Sequence, residues 1–339
     1  MNCAHAVACQ RRVSMDSFDQ LPEAERVARY ERLARKALTA YRLEEAELRF
    51  LGQSSNVMFR VQTDDGRWAF RICNPDRDHK ILMRELLWLV ALCRDTDLAV
   101  PEPVIMRSGD LFRSVSMPGL SGFHACMLFR WVKGQFEDDL TAEHLRAVGR
   151  FTAILHKHAE TFRWPEELEP NKIVAETVGS NVPRTMLKTH YSPGETETLL
   201  ATIPVIQQAM RSLGEGHDVA GAIHGDLHQW NVLFHEGTAC AIDFECVQWN
   251  YYAYDIATTF STLDSRSDFE ELKKAYVGGY KAVRSLPCDL DEHIPAFTML
   301  RMFTMVAWIL STPRLRSDDW ALGVLKSAVR RANRLMDPK

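Results

Sequence analysis

Between residues 47 and 72 three short β-prone stretches follow one another, and this pattern gives way to helical spacing after Gly134. Residues 47–51, 57–63 and 68–72 are rich in Phe, Val and Ile and alternate in polarity, with Asp64-Asp65-Gly66 as a turn between the second and third. A helix is expected ahead of them over 22–40, where Val27, Tyr30, Leu33, Ala37 and Leu38 recur at helical intervals behind Pro22. Another helix is expected over 82–92, and further strands over 100–106 and 126–132. Thr141 is placed to cap a helix that buries Leu145, Val148, Phe151 and Leu155. Helices over 195–213 and through most of 253–336 complete the reading, interrupted by one strand-rich island at 222–244. Strands first and helices afterwards imply an α+β chain with an antiparallel sheet, not a run of βαβ units. No G-x-G-x-x-G occurs, which argues further against a dinucleotide-binding sheet. The segments are an N-terminal extension and helix (1–42), a sheet region (43–134) and a helical region (135–339).

A formal net charge of −4 over 339 residues gives no general attraction to nucleic acid or anionic membrane. The most apolar stretch, 294–310, contains Pro295 and Arg301 and is short for a membrane span, so it reads as a buried helix. Residues 1–14 make a poor signal peptide, because Arg11 and Arg12 follow the short apolar run, and Met15 is an alternative start. Eight cysteines are scattered, at 3, 9, 73, 93, 126, 240, 246 and 288, and none makes a C-x-x-C pair. A reducing cytoplasm fits this usage, and a disulfide scaffold does not.

The densest polar cluster lies between apolar runs: Ala222-Ile223-His224-Gly225-Asp226-Leu227-His228-Gln229-Trp230-Asn231-Val232-Leu233-Phe234, then Ala241-Ile242-Asp243-Phe244-Glu245. A hairpin turning at Glu236-Gly237 would bring Asn231 and Asp243 together, with Asp226 on the loop before them. Phosphoryl transfer needs an acceptor for the attacking hydroxyl's proton and hard oxygen ligands for a divalent cation on the phosphates. Asp226, Asn231 and Asp243 supply that minimum.

The motif His224-Gly225-Asp226-x-x-x-x-Asn231 with Ile242-Asp243-Phe244-Glu245 resembles the signature of the aminoglycoside phosphotransferase and choline kinase-like superfamily. The resemblance implies a two-lobed protein-kinase-like fold, with a small antiparallel β-sheet N-lobe bearing one helix and a larger helical C-lobe. It implies ATP and Mg²⁺ as cofactors and a small-molecule hydroxyl as acceptor. Asp226 would be the catalytic base, and Asn231 and Asp243 the metal ligands. Gly52-Gln53-Ser54-Ser55-Asn56 stands where the family has its phosphate-covering loop, so Ser54, Ser55 and Asn56 fall at the nucleotide. Arg71 takes the place of a phosphate-binding lysine, and Glu85 that of its ion-pair partner. Residues 127–134 resemble the hinge, where backbone groups of Arg130 and Val132 would bond adenine. Leu155-His156 and Tyr254-Asp255-Ile256-Ala257 also match. His224 and Asp255 would brace the loop, while His228 and Glu245 would support substrate or metal. The sequence departs from the family at Arg71, at the single glycine of the phosphate loop, at Glu245, and at Trp249-Asn250 in place of Gly-Pro.

Each residue also has a plainer reading. Asp226, Asn231 and Asp243 could cap turns, Arg71 and Glu85 could be a surface ion pair, and Asp255 could be a helix N-cap. Three other functions compete. A protein serine/threonine kinase would use the same scaffold, but only eleven residues separate Asp243 from Asp255, which leaves no activation-loop insert. His224-x-Asp226-x-His228, with His235, could be a zinc hydrolase site. A non-catalytic nucleotide-binding module would be expected to lack the base or the metal carboxylate, and both are present.

Overall fold

The structure, a computed structural model, describes residues 18, 21–75, 77–182, 184–312, 315 and 317–337. The expectations for residues 1–14, for Met15 and for Cys3 and Cys9 lie outside the described residues. The chain forms two compact units. One comprises the described residues up to Arg94 together with Val100–Val132, and the other Asp95–Ala99 and the described residues from Lys133 onward.

In the first unit, α1 (Glu23–Leu38) carries Glu23 and Glu25 in its first turn and Arg35 and Lys36 in its last, which complements the helix dipole. Its apolar stripe, including Tyr30, Leu33, Ala37 and Leu38, shares one core with Val57, Phe59, Phe70, Ile72 and Leu128. Those residues come from a five-stranded sheet of β1 (Glu47–Gln53), β2 (Asn56–Thr63), β3 (Gly66–Cys73), β4 (Arg113–Val115) and β5 (His124–Arg130), in the order β1-β2-β3-β5-β4. Every neighbouring pair is antiparallel. Thr63 pairs with Gly66, so the β2–β3 turn falls at the expected Asp64-Asp65. Helix α2 (His79–Asp95) follows β3 and buries Leu82, Leu86, Leu89 and Leu92, together with the charged Glu85.

The strand expected over 100–106 is not formed. That segment makes a single bridge, Pro103 to Phe129, flanked by Val104 N–H to the Leu128 carbonyl (2.8 Å) and Arg130 N–H to the Glu102 carbonyl (2.9 Å). Pro101 and Pro103 have no N–H to give, so a ladder cannot propagate. The short strand β4 takes the sheet edge beside β5.

The second unit is mainly helical. Its helices are α3 (Ala142–Thr161), α4 (Ala175–Asn181), α5 (Arg184–His190), α6 (Pro193–Leu213), α7 (Tyr252–Ser261), α8 (Phe269–Lys281), α9 (Leu290–Ser311) and α10 (Asp319–Met336). Thr141 caps α3 as expected: its hydroxyl accepts from His144 N–H while the His144 ring accepts from Thr141 N–H. Ser192 and Glu195 make the same reciprocal cap on α6, with Pro193 in its first turn. α3 and α8 meet backbone to backbone. A Cβ on Gly149 would lie 2.1 Å from the Tyr276 carbonyl oxygen, and one on Gly279 would lie 2.0 Å from that of Arg146. Among the described residues α9 is the one helix long and apolar enough to cross a bilayer, and 61% of its most apolar window is buried. This agrees with the buried helix expected there. Two small antiparallel pairs complete the unit: β6 (Ala220–Ile223) with β9 (Gln248–Tyr251), and β7 (Val232–His235) with β8 (Thr238–Ala241). The second pair turns at Glu236 (φ 49°) and Gly237 (φ 75°), two left-handed residues as a tight hairpin requires.

Candidate active site

The loop that follows β6 is shaped by what holds its backbone. β6 is buried along its whole length, and the chain leaves it at His224 and Gly225. Gly225 has φ +79°, and a Cβ there would lie 2.3 Å from the Cys246 carbonyl oxygen, so no other residue fits. Asp255, on the first turn of α7, accepts from His224 N–H (2.9 Å) and Gly225 N–H (2.8 Å). His156 of α3 reaches the same carboxylate through Nε2 at 3.3 Å, and its Nδ1 lies 2.8 Å from the Tyr280 hydroxyl. All of these groups are buried, so each hydrogen bond replaces one to water. Asp255 is thus a loop brace, one of its two readings from sequence.

His224 uses both ring nitrogens on the loop itself. Nε2 donates to the Ile242 carbonyl (3.0 Å), and Nδ1 accepts from Asp226 N–H (3.3 Å). His228 accepts from Trp230 N–H through Nδ1 (3.1 Å) and points Nε2 at Asp226 (3.5 Å). Among the described residues no group of three His, Cys, Asp or Glu could hold a metal ion. The described residues therefore supply no ligand set of the kind the zinc hydrolase reading requires.

Asp226 is gripped on both oxygens. Asn231 Nδ2 donates to Oδ2 (3.2 Å) and to the Asp226 carbonyl (2.9 Å), while Arg301 of α9 donates to Oδ1. Burial pushes the Asp226 carboxyl up, but the hydrogen bond from His228 and the charges of Arg301 and the two histidines outweigh it, so the group sits below the usual aspartate value. Asn231 is buried, and its carbonyl accepts from Ile242 N–H (2.9 Å) at the open end of the β7–β8 hairpin, one residue before Asp243. The expected approach of Asn231 and Asp243 along the backbone is present. Asp243 adopts φ +64°, a left-handed conformation that Asp tolerates better than most residues. Glu245 follows in a 3₁₀ turn, Phe244–Cys246. Gln229 Nε2 donates to the carbonyls of Glu137 (2.9 Å) and Asp138 (3.0 Å), which fastens the loop at its outer side.

In the first unit, Arg71 of β3 and Glu85 of α2 form a two-pronged pair, Nη1–Oε1 at 2.8 Å and Nη2–Oε2 at 2.6 Å. They are 4% and 2% exposed, which discards the reading of a surface pair. The Phe129 ring lies 5.1 Å from the guanidinium carbon. Ser54 and Ser55 form the link between β1 and β2, closed by Ser54 N–H to the Asn56 carbonyl (3.0 Å). The hinge expectation changes in one respect. The Arg130 N–H is already committed to the Glu102 carbonyl (2.9 Å), which narrows the adenine contact expected of Arg130 to its own carbonyl.

Sequence reasoning missed Arg301 as a partner of Asp226, although the signal was present. A lone arginine inside an apolar run has to find an anion once the helix is buried.

Burial is the largest influence on His156 and His224 and lowers both below the ordinary value of 6.5, against the pull of nearby carboxylates. Both rings are therefore harder to protonate in the folded protein than in the unfolded chain, where the ordinary value near 6.5 returns. Their contribution is complete above about pH 6.5 and is lost as the pH falls, at up to about 1.4 kcal/mol per pH unit for each ring. Urea unfolding on either side of about pH 6.5 checks this. His156→Gln should flatten the dependence by one proton, and an undiminished slope would show that His156 does not contribute.

A five-stranded antiparallel sheet unit and a helical unit carrying this loop cluster define a protein-kinase-like fold. The microcompartment-associated aminopropanol kinase matches with a TM-score of 0.76 at 26% identity, over 89% of this chain and 96% of that one. An amicoumacin kinase solved with AMP-PNP and Ca²⁺ matches with a TM-score of 0.69 at 19% identity, over 86% and 88%. In sequence the chain is 28% identical to the homoserine kinase of Neisseria meningitidis serogroup B over 260 residues, 71% of this chain and 75% of the relative. It is 21% identical to the amicoumacin kinase of Bacillus subtilis strain 168 over 306 residues, 84% and 86% respectively. The model of the phosphotransferase enzyme family (APH) matches residues 47–287. The chain belongs to that family and is a phosphotransferase.

Proposed function

We propose that the protein transfers the γ-phosphoryl group of ATP, with Mg²⁺, to a hydroxyl of a small molecule in the cytoplasm. The observation that carries this is the loop from His224 to Asn231. It presents an ionised carboxylate beside an asparagine whose amide nitrogen is turned to that carboxylate, and this leaves Oδ1 for a cation. Asn231 Oδ1 and an Asp243 carboxylate oxygen would hold Mg²⁺. Two hard protein oxygens suit that ion, which fills the rest of its shell with phosphate oxygens and water. Bound Mg²⁺ supplies neutralisation of phosphate charge.

Asp226 accepts the hydrogen bond of the acceptor hydroxyl and aims its oxygen. Asp226 takes the hydroxyl proton as the new P–O bond forms. Arg71, kept extended by Glu85, binds phosphate oxygens. Ser54, Ser55 and Asn56 contribute to the phosphate loop, and Val132 contributes a backbone group for adenine. His228 and Glu245 stand beside the acceptor.

The relatives named above are kinases of aminopropanol, homoserine and amicoumacin, which supports an amino alcohol or a homoserine-like acceptor. A small acceptor is supported also by the segment from Asp243 to Asp255, taken up by the 3₁₀ turn and β9 without an insert. The cysteines among the described residues are free thiols, which fits a reducing compartment. The test is ADP release with MgATP against aminopropanol, homoserine, sugars, aminoglycosides and hydroxyl-bearing peptides. Turnover with one small hydroxyl compound is expected. Turnover with peptides alone, or no magnesium-dependent ATP turnover across the panel, would overturn the proposal.

A further inference from the structure

We propose that Arg301 is a positioning residue for phosphoryl transfer, clamping one oxygen of Asp226 from the buried side of α9 so that the carboxylate meets the acceptor in a single orientation. This rests on the reading of Asp226 as the partner of the acceptor hydroxyl. Arg301 is 7% exposed, between the buried Leu300 and Met302. A guanidinium in such surroundings needs an anion, and among the described residues its ion-pair partner is Asp226.

The two oxygens of Asp226 are held from different directions. Oδ1 takes Arg301, and Oδ2 takes the Asn231 amide, with His228 beside it. Each oxygen has two lone pairs, so both can be held while a site remains for a hydroxyl. The Asp226 side chain keeps 21% exposure against 9% for that of Arg301, so the carboxylate is the more open member of the pair. Two anchors on opposite oxygens fix the plane of the carboxylate, which one anchor would leave free to rotate about its last bond.

Arg301 is itself supported. Tyr254 of α7 lies close enough to Arg301 to act on its charge, and the Tyr254 hydroxyl donates to Thr304 Oγ1 (3.3 Å), three residues further along α9. The adjacent Asp255 holds the backbone of His224 and Gly225. Two helices therefore secure the loop, α7 by its main chain through Asp255 and α9 by its reactive side chain through Arg301. An arginine suits this task because it stays charged and its planar fork fixes direction.

The test compares Arg301→Met, Arg301→Lys, Tyr254→Phe and Asp226→Asn in the full chain. It reads ADP release from MgATP with aminopropanol and with water as the acceptor, together with thermal unfolding. Arg301→Met should lower kcat about 100-fold, the cost of a misplaced reacting group, and leave the KM for ATP within about threefold. Arg301→Lys should recover at least about tenfold of that loss, and Tyr254→Phe should give a smaller fall in kcat alone. In the Asp226→Asn background Arg301→Met should add no further loss, because both act through one group. Wild-type kcat in a folded Arg301→Met protein overturns the proposal. So does equal loss in the Lys and Met variants with the KM for ATP rising in step, which marks a structural role. If Arg301→Met fails to fold, the Lys and Phe variants decide by the same split. If Asp226→Asn retains turnover, the reading of Asp226 fails, whatever Arg301 does.

Discussion

Asp226→Asn is expected to lower turnover by about 10³-fold or more while MgATP still binds within about threefold of the wild type. Asparagine keeps the volume and retains an oxygen for Arg301, but the change removes charge and basicity and turns an NH₂ toward the Asn231 amide. The acceptor hydroxyl loses its directing partner, whereas the proposed metal ligands stay. Asp226→Ala tests a different link. It strands the buried Arg301 guanidinium, and breaking such a pair from one side costs about 3 kcal/mol or more. The alanine variant should therefore be inactive and the less stable of the two, and the asparagine variant inactive with a smaller loss of stability, since it keeps a neutral hydrogen-bond partner for Arg301. Single-turnover kinetics and urea unfolding on both variants separate these effects. Turnover within tenfold of wild type in Asp226→Asn would remove Asp226 from the chemistry.

Asp255→Ala is expected to be the most destabilising single truncation near the site. Its carboxylate accepts from two buried backbone N–H groups, at 2.9 and 2.8 Å, and faces His156 Nε2 at 3.3 Å. Each buried donor left without an acceptor costs about 1–3 kcal/mol, so the loss should reach about 4 kcal/mol. Asp255→Asn should be milder, since one oxygen remains, but its NH₂ would face a donor. Activity should fall with stability in both, because the loop carrying Asp226 loses its main-chain support. A change in unfolding free energy below about 1 kcal/mol for the alanine variant would show that the loop is held elsewhere.

How much of this was legible in the sequence depended on how far apart the partners lie in the chain. The strands of residues 47–73 were visible because each pairs with its neighbour across a two-residue turn, so alternation and turn chemistry report the same local event. The loop from His224 to Glu245 was visible for a related reason. Its hairpin closes through Glu236-Gly237, and the spacing alone brings Asn231 and Asp243 together. The pairing of β6 with β9 was not foreseen, since its register is set by tertiary packing. Nor were the short helices α4 and α5, which hold too few turns for a periodic signal. The segment 100–106 misled because its apolar residues read as a strand while its prolines forbade the ladder. Arg301 lies 75 residues from Asp226 along the chain, and only the docking of α9 against α7 makes them neighbours.

The seam where Gly149 faces the Tyr276 carbonyl and Gly279 faces that of Arg146 sets a limit on how this protein can diverge. α3 carries His156 and α8 carries Tyr280, and the 2.8 Å contact between them exists because the two helix backbones lie flush. A single methyl at either glycine would act as a wedge driven into that joint. Either wedge would move His156 away from Tyr280 and so disturb Asp255, which His156 also contacts.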